Sequence, residues 1–123
     1  HLAQIACDLE VILPAVEVGD STFIEWDAMS LTTSGEYPDS YEIRVSLTEP
    51  TVEGCEATPP LDRVTDEWWR ADATTPGQGV HHHKVNLSAQ YSGQTIYVAF
   101  HLFTAYPGGD RLGVDNILIY NKL

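Results

Sequence analysis

From Tyr41 to Thr48 the chain alternates apolar and polar residues, with Tyr41, Ile43, Val45 and Leu47 set against Glu42, Arg44, Ser46 and Thr48. A period of two is that of a strand with one face buried and the other wet. Further strands are predicted at Glu10–Val18, Thr22–Leu31, His82–Leu87, Thr95–Phe103 and Arg111–Tyr120, each flanked by Gly, Pro, Asp or Ser. No window of about a dozen residues carries an apolar stripe at helical spacing. Within the last of these strands, Asp115 and Asn116 interrupt an apolar run of Leu112, Val114, Ile117 and Ile119 that otherwise reads as core. A carboxylate buried there must find a partner.

Between Glu49 and Gly79 the alternation fades into Pro50, Gly54, Pro59, Pro60, Pro76 and Gly77, leaving a short patch, Leu61 to Trp69, able to pair into a sheet. Long irregular connections in compact domains are usually functional, which makes residues 49–79 the first place to look for a binding surface. Several short strands separated by turn signals predict an all-β fold, a two-sheet antiparallel sandwich of jelly-roll type. With 123 residues the chain makes a single domain, 1–123, large enough to bury a core. The longest apolar stretches, such as Ile96 to Phe100, are too short to cross a bilayer, and no signal peptide is visible.

Charge narrows the partners. Six Lys and Arg against 18 Asp and Glu give a net charge of -12, which repels nucleic acid and anionic lipid. The same carboxylates suit a hard cation such as Ca2+. Cys7 and Cys55 are too few and too widely spaced for a zinc or redox motif. Given an extracellular setting they are expected to pair, restricting the unfolded chain by about 3–4 kcal/mol, with two separate thiols as the alternative.

Four blocks resemble the cleaved-adhesin and choice-of-anchor J family, MAM-like jelly-roll modules of secreted and cell-surface proteins, especially of Bacteroidetes. They are Ile12-Leu13-Pro14-Ala15-Val16-Glu17-Val18, then Phe23-Ile24-Glu25-Trp26-Asp27-Ala28, then Tyr37-Pro38-Asp39-Ser40-Tyr41-Glu42-Ile43-Arg44-Val45-Ser46, and a closing block. The closing block runs through Val85-Asn86-Leu87-Ser88, Tyr91-Ser92-Gly93-Gln94-Thr95-Ile96-Tyr97-Val98-Ala99-Phe100 and Leu112-Gly113-Val114-Asp115-Asn116-Ile117. The resemblance covers about residues 10 to 121. It implies a secreted or cell-surface, bacterial, non-catalytic adhesion module with an extracellular glycan or protein as partner. In this pattern Leu87 and Tyr91 plug the sandwich edge, Gly93 permits a turn, and Ile96, Val98 and Phe100 fill the core.

The chain departs from that family in two places. Members begin with a further segment that also contributes to the metal site, whereas nine residues precede Glu10 here, so the sandwich is expected to lack its first strand. Asn116 stands where the second Asp of a pair is usual, removing one charged ligand. Asp115, Asp27 and Asn116 are the candidate calcium ligands, and the competing reading is a carboxylate capping a bulge without metal.

Three other groups invite chemistry. Trp68 and Trp69, with Tyr106, offer rings of the kind that stack on sugars, against the plainer role of packing at the sandwich edge. His81, His82 and His83 suit a transition metal, but consecutive strand residues point to opposite faces and cannot all bind one ion. His1 with His101 or His83 could form an N-terminal copper brace, the remote enzymatic alternative. No Ser sits in a nucleophile elbow and neither Cys has a persuasive His partner, so no enzyme is expected. A structural alternative is a subunit of an extracellular fibre, self-assembling by strand donation at an open edge.

Overall fold

A computed structural model describes residues 9–30, 40–65, 67, 79–103 and 112–122. Eight strands are described: β1 (Leu9–Ile12), β2 (Val16–Glu17), β3 (Thr22–Ser30), β4 (Tyr41–Ser46), β5 (Asp62–Val64), β6 (His81–Asn86), β7 (Thr95–Leu102) and β8 (Leu112–Asn121). Two short helices, α1 (Val52–Glu56) and α2 (Ser88–Tyr91), interrupt them. One sheet runs β1-β7-β4-β5, with β2 also on β7, and the other runs β6-β3-β8. Every described pairing is antiparallel, and the two sheets make the expected sandwich.

The predicted strand Glu10–Val18 is two pieces lying along the same neighbour. Ile12 pairs with Ala99 and Val16 with Ile96, so four steps on this edge match three on β7. The extra residue falls at Leu13-Pro14-Ala15, where Pro14 has no N–H to give a ladder. Leu13 N–H still donates to Val98 O at 2.8 Å, which keeps the edge attached.

The core lies between the sheets. Ile24, Trp26 and Ala28 of β3 face Tyr41, Ile43 and Val45 of β4 and Ile96, Val98 and Phe100 of β7. Leu87 and Tyr91 close one end from the α2 turn, as the resemblance implies. Beyond that turn Gly93 adopts φ 80, a left-handed backbone that favours glycine, and its N–H donates to Val18 O at 2.8 Å. Trp26 lies edge-on to Phe100, with ring centroids 5.4 Å apart, an arrangement in which the ring quadrupoles attract.

The outer face of β4 is not the wet face that its alternation predicts. Glu42 is 2% exposed, and its carboxylate accepts from Arg44 Nε at 2.8 Å and from Arg63 Nη2, with His101 Nδ1 at 3.4 Å. Helix α1 packs over this face. Its N-cap Thr51 accepts from Gly54 N–H at 3.1 Å, and a Cβ on Gly54 would lie 2.6 Å from the Glu49 carbonyl oxygen. Arg44 Nη1 donates to Thr58 O at 3.1 Å, stitching the segment after α1 to the sheet. Leu47, expected inside, is 44% exposed because β4 ends at Ser46, whose Oγ receives the Thr48 and Glu49 N–H groups and starts a turn.

Candidate functional site

Strand register decides where each histidine goes. β3 pairs with β6 so that Trp26 opposes His83, Asp27 opposes His82 and Ala28 opposes His81. Trp26 and Ala28 point into the core, so His81 and His83 share the inner face while His82 joins Asp27 outside. The three imidazoles therefore do not all converge, but two of them do.

On the inner side those two meet Glu67, a residue of the 49–79 segment whose side chain is wholly buried. Tyr41 O–H lies 2.5 Å from Glu67 Oε2 and donates to it, while Trp26 Nε1–H donates to the Tyr41 oxygen at 2.9 Å. His83 Nε2 is 2.6 Å from the same carboxylate oxygen and His81 Nδ1 is 3.7 Å from the other. The indole of Trp26 stacks on the His83 ring at 5.0 Å with 20° between planes, and the His81 and His83 centroids are 4.4 Å apart. Burial and the Glu67 carboxylate push the Tyr41 phenol far above its ordinary value, so it stays a donor at any physiological pH. Trp26, Tyr41, Glu67 and His83 thus form one connected polar chain through the sandwich.

The outer side is a second cluster. His82 is held from both ends, Nδ1 at 2.6 Å from Asp27 Oδ1 and Nε2 at 2.6 Å from Glu25 Oε1. Hydrogen bonding first to Asp27 and then to Glu25 raises its pKa, since with both nitrogens facing carboxylates the doubly protonated ring is the favoured form. Tyr120 O–H donates to Glu25, the largest cause holding that carboxyl below its usual range. Phe23 stacks on Tyr120 at 6.0 Å with Lys84 Nζ 4.6 Å above the Phe23 ring, so the face mixes charge and aromatic surface.

The three candidate calcium ligands do come together here. Asp27 opposes Asp115 in the β3–β8 ladder, and Asn116 Nδ2 donates to Asp27 Oδ2 at 2.9 Å, the main cause lowering the Asp27 pKa. Asp115 is exposed, not buried as its apolar neighbours predict, and its Oδ1 accepts the Asn116 N–H at 2.8 Å. Val114 faces inward opposite Ala28, so Asp115 turns outward beside Asp27, and a β-bulge follows it. Glu25 pairs with Leu118 but Asp27 with Asp115, so β8 carries one extra residue, and Asn116 takes φ 53 to accommodate it. Leu112, Val114 and Ile119 pack against the core as expected, but past the bulge Ile117 is 42% exposed, which corrects its place in that run, and Leu118 beside it is 55% exposed. Both Asp27 oxygens are engaged, one by the imidazole and one by the Asn116 amide, so a calcium ion would have to displace His82 and turn that amide.

The other expected residues fall elsewhere. Trp68, Trp69, Tyr106, Cys7 and His1 lie outside the described residues, as does any strand formed by residues 1–8. Cys55 is a free, buried thiol rather than half of a bridge. Burial, and then the neighbouring Glu10 carboxylate, push that thiol up to about 11. His101 sits beside Glu42 on the outer face of the first sheet, whereas His83 lies between the sheets, so the two copper-brace candidates occupy different layers.

Two antiparallel sheets of short strands around an aromatic core define the chain as an all-β sandwich module. No family model matches the chain and no curated protein matches it. Among solved structures it is similar to a cleaved adhesin domain of Lys-gingipain from Porphyromonas gingivalis, with a TM-score of 0.71, 17% identity and 96% of the chain covered. A second cleaved adhesin domain of that protein matches with a TM-score of 0.65, 16% identity and 89% of the chain covered. The chain spans 66% and 62% of the lengths of those two structures. At this identity the likeness is one of fold. Among the described residues no helix is long and apolar enough to cross a membrane.

Proposed function

We propose that this chain is a non-catalytic adhesion module, carried outside a bacterial cell, that holds a glycan or protein ligand through its 49–79 segment and the turn around Tyr106. The observation that carries this reading is the shared fold with two domains named as adhesins, over 96% and 89% of the chain. A second feature supports the choice of surface. Glu67 is anchored in the sandwich by Tyr41 and His83, and the residues that follow it in sequence are Trp68 and Trp69. An anchored backbone lowers the ordering cost of presenting aromatic rings to a ligand.

The test is binding of the isolated chain to a glycan array and to a panel of immobilised extracellular proteins, with Trp68→Ala and Trp69→Ala in parallel. Loss of binding at unchanged melting temperature in either variant supports the reading; undiminished binding in both overturns the assignment to this segment. Calcium at the Asp27, Asp115 and Asn116 corner belongs to the same reading and predicts a higher melting temperature in calcium than in chelator. A melting temperature indifferent to both buffers removes it.

A second reading is assembly of copies of this chain into a fibre by strand donation. It draws on an apolar groove of about 310 Å³ beside β1 and β8, lined in part by Val11 and Ile117, which are 51% and 42% exposed. Light scattering separates the two: concentration-dependent polymers favour assembly, and a monomer at all concentrations removes it.

A further inference from the structure

We propose that Glu67, His81 and His83 form a binding site for a divalent transition metal of the zinc class, independently of what the module adheres to. Their three ligand atoms lie within 4.8 Å of one another. Two imidazoles and one carboxylate suit zinc and its neighbours, whereas calcium takes oxygen alone. The site therefore differs in chemistry and in face from the acidic corner at Asp27.

The site is pre-arranged by the residues around it. His81 and His83 are two residues apart on β6, so the pleat places both rings on one side of the strand. Stacking of Trp26 on His83 fixes the ring plane, and Tyr41 O–H fixes the Glu67 carboxylate. A hydrogen bond that orients a ligating carboxylate is the usual supporting feature of a metal centre. Glu67 is wholly buried and His83 13% exposed, but His81 is 42% exposed, which leaves the site one open side through which an ion enters and on which a water or ligand atom can complete the coordination.

Small movements suffice. With metal bonds of about 2.0–2.1 Å, ligand atoms in a tetrahedral site stand about 3.3 Å apart. His83 Nε2 and Glu67 Oε2, now 2.6 Å apart, must part slightly as their shared proton leaves, while His81, whose Nδ1 is 3.7 Å from the other carboxylate oxygen, moves in from within the 4.8 Å that bounds the three ligand atoms. The ion would tie β6 of one sheet to the 49–79 segment, and the polar chain through Tyr41 extends that tie to β4 of the other.

The test is a zinc chloride titration of the tag-free, chelator-treated chain against a chromophoric chelator, with circular dichroism to check folding. His81→Ala is the primary variant because the ring is partly exposed, and His82→Ala, on the opposite face, is the control. The expected result is one zinc per chain, weakened at least about tenfold by His81→Ala and by Glu67→Gln and unchanged by His82→Ala. Tyr41→Phe should weaken binding less than either ligand variant while leaving the stoichiometry intact. Absence of stoichiometric binding by the unmodified chain overturns the proposal, as does equal weakening by His81→Ala and His82→Ala. Should Glu67→Gln fail to fold, the comparison of His81→Ala with His82→Ala still decides.

Discussion

Tyr41 and Glu67 lie 26 positions apart in the chain, yet the Tyr41 hydroxyl donates to the Glu67 carboxylate at 2.5 Å inside the sandwich. That contact joins β4 to the segment on which the proposed ligand surface lies. It also relays to the second sheet, because Trp26 Nε1–H donates to the same hydroxyl. A buried carboxylate is tolerated only when such donors surround it.

Removing the hydroxyl alone should therefore cost stability without emptying the core. Tyr41→Phe leaves the Trp26 N–H without its acceptor and takes one of the donors from Glu67, a loss of about 1–3 kcal/mol. Urea unfolding of the two proteins measures it, and a difference near zero would show that the hydroxyl is dispensable.

Two carboxylates near α1 should respond to pH with opposite signs. Burial alone would raise the Glu42 pKa, but Arg63, His101 and Arg44 outweigh it and hold the group below 4.5. Its contribution is present above 4.5 and lost as pH falls through the lower folded value. Glu10 is the reverse: burial raises it above 4.5, and its Oε1 is buried without a hydrogen-bond partner. Ionising Glu10 costs stability as pH rises from 4.5 through its raised folded value. At pH 7 Glu42→Gln should be less stable than the unmodified chain and Glu10→Gln more stable, the Glu10 difference fading as pH falls to 4.5 and the Glu42 difference fading below 4.5. Melting curves from pH 3 to 7 read the signs directly.

The β8 bulge makes Asn116 selective for shape. Its φ of 53 is tolerated by Asn and Gly and resisted by β-branched residues. Asn116→Val should lose about 1–2 kcal/mol, and Asn116→Gly should lose less despite giving up the same bond to Asp27. Equal losses would locate the cost in the side-chain contact instead.

Cys55 should be chemically quiet in the folded chain. A buried thiol raised to about 11 reacts slowly with iodoacetamide at pH 8 and rapidly once denatured, which peptide mapping resolves from Cys7. Fast labelling of Cys55 in the native state would show that α1 opens readily.

Much of the sandwich was legible because a period of two sorts residues by face. The inward set Tyr41, Ile43 and Val45, the core strand Ile96, Val98 and Phe100, and the Gly93 turn all follow from local pattern. Periodicity cannot reveal a second cover, which is why Glu42 and Arg44 read as wet although the five-residue α1 lies over them. Nor does it show what a slip in register leaves outside: one extra residue at Asn116 puts Leu118 opposite Glu25 and leaves it exposed. His82 was separable from its neighbours by alternation alone. The meeting of His81 and His83 with Glu67 was not, because it depends on where a long irregular segment re-enters the fold. An alternate His pair on a strand is the local signal, and it names no third ligand.

The 49–79 segment is the proposed ligand-binding surface. The most direct measurement is calorimetric titration of a ligand found on the glycan or protein array into the unmodified chain and into the Trp68→Ala/Trp69→Ala double variant, at matched melting temperature. The double variant should lose at least about tenfold in affinity, as expected when aromatic anchors are truncated. Equal affinity in the two proteins would contradict it and move the binding surface to another face of the sandwich.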